Sequence, residues 1–179
     1  DVDHTPIHTL DLAAELVEEA LRSGEIPRER VLGLGVGIAC PVGQADDTLY
    51  ADGIMAEWVG VRPAHELFAR TGLVAHLVND ANAGALAEWL YGAARNCDEM
   101  IYLRLSAGIG AGMVAHGRLL TGGNGLAGEV GHLQVEPAGK VCRCGNRGCL
   151  ETVASPVAVA ELLAQSWNRP VDTDELFRL

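Results

Sequence analysis

Apolar positions recur at two spacings along the chain. In residues 9–24, Leu10, Ala13, Ala14, Val17 and Leu21 share one helical face, with Thr9 placed to cap the start and Gly24 to end it. Ile26-Pro27-Arg28 breaks that pattern. Residues 31–39 then read as a buried strand, whose glycines let another backbone or a ligand come close. Residues 63–72 predict a short helix with proline in its first turn and glycine at its end. Residues 73–78 predict a second buried strand, with Asn79 and Asp80 at its C-terminal tip, and residues 81–92 the next helix. Residues 100–105 form a third strand that runs into a glycine-rich turn over 106–112. Residues 112–115 and 118–120 make a hairpin around His116-Gly117. Residues 121–151 read mostly as loop. A last helix follows Ser155, its cap, and runs from Pro156 to about Trp167.

Strands alternating with helices imply an α/β chain with a parallel or mixed sheet covered by helices. Ligands gather at the C-terminal ends of such strands, which puts Asn79, Asp80 and the 106–112 turn on the functional edge.

Composition narrows the picture. The 179 residues are 49% apolar and 21% charged, an ordinary globular balance, but only 4% aromatic. The core must therefore come from Ala, Val, Leu and Ile. A net charge of −11 argues against these residues docking on DNA or on an anionic membrane. No apolar run reaches the 18 or so residues that span a bilayer. The first six residues lack the basic start and apolar centre of a signal peptide. The five cysteines are an odd number and three crowd together, which suits a metal site in the reducing cytoplasm better than a disulfide framework.

Those three are Cys142, Cys144 and Cys149, and His132 precedes them. Three thiols and one imidazole complete a tetrahedral set for structural zinc, and Arg143, Arg147 and the loop glycines favour thiolate. Unrelated buried or redox cysteines are the alternative. Cys40 and Cys97 lie in or beside apolar runs and read as core residues. Asp80, at the start of a helix, either caps it or accepts a hydroxyl proton from a bound alcohol. Glu129 and Glu151 flank the metal loop, either as solvated charge or as acceptors held rigidly for polyol hydroxyls. Gly108, Gly110 and Gly112 form either a plain hairpin or a phosphate cradle, with no Lys or Arg inside the turn.

The string from Gly131 to Glu151 (Gly-His, nine residues, Cys-x-Cys-Gly-x-x-Gly-Cys-x-Glu) resembles the signature of the ROK family of sugar kinases and repressors. NDANAGALAE at 79–88 and AGIGAGMV at 107–114 resemble two further blocks of that family in the same order. The resemblance implies an actin-like ATPase (ribonuclease H-like) fold of two α/β domains, present here as a partial chain. Residues 1–80 would be part of the N-terminal domain, and residues 81–179 part of the C-terminal domain with the zinc loop 132–149. It further implies that Asn79, Asp80, Glu129, His132 and Glu151 bind sugar hydroxyls, with Asp80 the catalytic base in members that phosphorylate sugar. His132, Cys142, Cys144 and Cys149 would hold zinc, and Gly108, Gly110 and Gly112 would be a remnant of a phosphate loop.

Several positions depart from the family's kinases. Asp1-Val2-Asp3-His4-Thr5 does not match their Asp-x-Gly-x-Thr phosphate loop. Ser106-Ala107-Gly108 stands where they carry Gly-Thr-Gly. Closer to the sugar, Ala39-Cys40-Pro41-Val42 stands where family members in general show Pro-Gly-Pro-Val, and Ile54 where they show an Asn four residues before Trp58, which implies an altered sugar pocket. The leading expectation is therefore the effector-binding part of a sugar-responsive regulator, a homo-oligomer that reaches DNA through a region outside this chain. The alternative is an ATP- and Mg2+-dependent sugar kinase.

Overall fold

The computed structural model describes residues 5–43 and 46–178. The expectations for the N-terminal start, no signal peptide in residues 1–6 and no phosphate loop in residues 1–5, rest mostly on residues 1–4, which lie outside the described residues. The chain divides into two compact units, Asp1–Asp80 with Gly123–Gly125, and Ala81–Gly122 with Leu126–Leu179.

The first unit begins with helix α1 (Pro6–Ser23). It starts three residues before the predicted Thr9 cap, because Pro6 occupies the first helical position, where its missing N–H costs nothing. Strand β1 (Leu34–Ile38) pairs in parallel with β2 (Ala75–Asn79), Val36 opposite Leu77. Both were expected to be fully buried. Instead β1 alternates between covered and exposed positions, and Leu32, outside it, is fully exposed. Between them lies helix α2 (Pro63–Thr71), with proline at its start and Gly72 in the left-handed conformation at its end (φ 69°). Arg70 of α2 is tied to Asp11 of α1 at 2.7 Å and to Glu66 at 2.6 Å. Leu10, Ile38, Cys40, Val42, Leu49, Trp58 and Leu67 form the core beneath these elements.

The second unit carries helix α3 (Asp80–Leu90, whose first residue belongs to the first unit) and an antiparallel sheet. Its strands are β3 (Met100–Leu105), β4 (Ile109–Ala115) and β5 (Arg118–Leu120), in that order. The turn between β3 and β4 is shorter than expected. Gly110 and Gly112 lie inside β4, so only Gly108 of the three glycines belongs to the turn. The cause is packing. A Cβ on Gly112 would sit 2.5 Å from both the Ala81 carbonyl oxygen and the Ala85 methyl, so the bare backbone lets α3 lie flat on the sheet. Ala81 and Ala85 are fully buried there, as the scarcity of large side chains demanded. Helices α4 (Leu150–Ala154), α5 (Pro156–Trp167) and α6 (Thr173–Leu176) follow the metal loop. The Ala158 N–H donates to Ser155 Oγ at 3.2 Å, so Ser155 caps α5 as predicted. Among the described residues no helix is long and apolar enough to cross a membrane.

Candidate metal centre and ligand site

The loop between His132 and Cys149 buries few apolar side chains: Leu133, Val135 and Val141 are all exposed. Backbone hydrogen bonds brace it instead. Val135 and Glu136 N–H groups donate to the Gly148 carbonyl at 2.8 and 3.0 Å, and Cys142 N–H donates to the Asn146 carbonyl at 2.7 Å. Gly148 has φ 62°, and a side chain there would collide with the Glu136 carbonyl.

This folding brings the four expected metal ligands together. One donor atom from each of His132, Cys142, Cys144 and Cys149 lies within 4.8 Å of the others. His132 Nδ1 is 3.5 Å from Cys142 Sγ, and the sulfurs of Cys144 and Cys149 are 3.7 Å apart. Tetrahedral zinc, with Zn–S of about 2.3 Å and Zn–N of about 2.0–2.1 Å, requires edges of roughly 3.6 Å and roughly 3.8 Å for such pairs. The donors therefore fit a tetrahedral metal. All five cysteines are free thiols. Burial, then the Cys144 and Cys142 thiols, push Cys149 up to about 12. Burial also acts to raise Cys144, but hydrogen bonding to the Asn146 backbone and to the two neighbouring thiols outweighs it and lowers that group. Cys97, expected in the core, is exposed, whereas Cys40 is buried as expected. Cys97 follows the end of α3, and its carbonyl accepts from the Trp89 indole N–H at 2.9 Å.

His132 turns its other ring nitrogen, Nε2, towards Glu129, 3.7 Å from Oε2. A 3-10 turn over Val130–His132 sets this i, i+3 pair. Coordination of a metal through Nδ1 would leave the proton on Nε2, on the side where the Glu129 carboxylate lies. Glu151 is buried beside the β3–β4 turn. Its Oε2 accepts from Ile109 N–H at 3.0 Å, and Arg143 Nε lies 2.9 Å from its Oε1. Sequence spacing gave no sign of this pair, because residues eight apart across an irregular loop share no periodicity.

Asn79 and Asp80 belong to the first unit. Asn79 ends β2, where its side-chain amide donates to the Cys40 carbonyl at 3.4 Å. Asp80 opens α3, where the helix dipole favours a carboxylate.

The model of the ROK family matches residues 3–179. The chain belongs to the ROK family. Among its relatives, it is 47% identical over 113 residues to a glucokinase of Thermotoga maritima, covering 63% of this chain and 36% of that one. It is 42% identical over 122 residues to the DNA-binding transcriptional dual regulator NagC of Escherichia coli, covering 66% of this chain and 29% of that one. The chain thus spans about a third of the length of these two relatives. Among solved structures, the ROK glucokinase of Streptomyces griseus in complex with glucose and AMPPNP matches with a TM-score of 0.82. That match has 30% identity and covers 92% of this chain and 51% of that one. The ROK fold is the actin-like ATPase class of α/β proteins, and the mixed α/β architecture here agrees with it.

Proposed function

We propose that this ROK chain is the effector-binding region of a sugar-responsive transcriptional regulator, with a structural zinc ion on His132, Cys142, Cys144 and Cys149. The observation that carries the sugar-binding part of this reading is the Glu129–His132 pair, whose histidine belongs to the metal set; the regulator part is supported by the likeness to NagC. Two rigid polar groups on a cross-linked loop suit hydroxyl recognition, because hydroxyls need acceptors and donors fixed in advance. Asn79, Asp80 and Glu151 supply the remaining contacts to a sugar or amino sugar. Preference of the ligand for one conformation shifts the regulator between DNA-binding states, and DNA is gripped by residues outside this acidic chain. The protein acts in the cytoplasm as a homo-oligomer. Calorimetry of metal-loaded protein against a panel of hexoses and N-acetylhexosamines tests this, and absence of binding by every member would contradict it.

A second reading, an ATP-dependent sugar kinase, is favoured by the 47% identity to a glucokinase. In it Asp80 accepts the proton of the sugar hydroxyl, and Mg-ATP supplies the phosphoryl group when bound. Against it stands the β3–β4 turn, where Ser106-Ala107-Gly108 carries alanine in place of the threonine hydroxyl of the family kinases' Gly-Thr-Gly. A coupled kinase assay separates the two. Turnover that disappears in Asp80→Asn would establish the kinase, and no turnover in wild type is expected.

A further inference from the structure

Arg143 stands between two metal ligands in the sequence, yet its side chain leaves the loop. Its guanidinium forks onto the Glu151 carboxylate, Nε 2.9 Å from Oε1 and Nη2 3.2 Å from Oε2. The Glu151 side chain is only 10% exposed, so this fork is the charge that lets a carboxylate stay buried there. Lys140, the other cation lining the same open cavity of about 240 Å³, is bound to Glu161 at 2.7 Å. Glu151 in turn accepts the N–H of Ile109, the first residue of β4. The contact is close-fitting: a Cβ on Gly108 would lie 2.3 Å from Glu151 Oε2 and 2.8 Å from Arg143 Nη2. Three of the roughly four acceptor positions of the carboxylate are used, and one remains for a donor in the cavity.

We propose that Arg143 is a positioning residue for the ligand site. It transmits the fixed geometry of the metal loop to the Glu151 carboxylate and, through it, to the Ser106–Gly108 turn. The proposal rests on the sugar-binding reading above and extends it to a residue outside the hydroxyl-binding set. A bidentate arginine fork holds a carboxylate in one plane, whereas a lysine holds it only as a point charge.

The test uses metal-loaded full-length protein as wild type, Arg143→Met and Arg143→Lys. Three quantities are read: metal per chain, hydrogen exchange at the Ile109 amide, and calorimetric affinity for glucose and N-acetylglucosamine. In Arg143→Met, Ile109 should exchange roughly tenfold faster or more, and the affinity should fall by a similar factor. Metal content should stay at the wild-type level, and Arg143→Lys should recover part of both losses. Wild-type exchange and affinity in Arg143→Met would overturn the proposal. So would loss of metal in that variant, which would make Arg143 a support of the loop alone. Wild type that binds neither sugar, with Ile109 still responding to Arg143→Met, would overturn the sugar reading and uphold the link from Arg143 to the turn.

Discussion

Removing the metal should loosen the second unit by a measurable amount. The loop from His132 to Cys149 holds almost no apolar anchor other than the ligands Cys142 and Cys149 themselves, both buried. Backbone hydrogen bonds brace it, and a metal cross-link would supply the remaining constraint. A covalent bridge closing a loop of about 15 residues stabilises by about 3 kcal/mol through the entropy it removes from the unfolded chain. A metal held by both ends of this segment acts in the same way. For a chain of this size each kcal/mol moves Tm by about 2–4 °C, so chelation should lower Tm by roughly 6–12 °C. Thermal melts under reducing conditions, with and without chelator, and with metal restored, give the comparison. An unchanged Tm on complete removal of metal would refute the claim that the ion holds the loop. Protein that binds no metal under reducing, metal-replete conditions would refute the assignment of the four ligands.

Two further outcomes follow from the same geometry. Gly112→Val should destabilise the protein by about 1–3 kcal/mol, because its side chain meets backbone and buried alanines of α3 that have no room to move; denaturant melts measure it. Metal affinity should be weaker at about pH 6 than at about pH 8. The Cys149 thiol, pushed up to about 12, holds its proton in the metal-free protein and must release it on binding; competition titrations with a chromogenic chelator at the two pH values read the difference.

The parts of this structure legible in the sequence are those with local causes. The Ser155 cap followed by Pro156 fixed the start of α5, and Pro63 and Gly72 bracketed α2. The metal set was legible because thiols and an imidazole at close spacing have few other uses. Non-local causes were missed. Gly110 and Gly112 look like turn residues in a glycine-rich string, yet they are strand residues whose role is to admit α3. The only trace of this in the sequence is the pair of small residues Ala81 and Ala85, four apart on the facing helix. The apolar run around Leu32 reads as buried strand, but pairing with β2 begins only at Leu34. Glu151 was read as an acceptor for ligand hydroxyls. The structure adds that Arg143 and the Ile109 N–H already occupy most of its carboxylate.

Sugar recognition by the Glu129–His132 pair at the metal loop is open to one direct measurement. Calorimetric titration of metal-loaded wild type and Glu129→Ala with hexoses and N-acetylhexosamines tests it most directly. Saturable one-site binding in wild type, lost in Glu129→Ala while metal content is unchanged, is the predicted result. Undiminished binding in Glu129→Ala would contradict it.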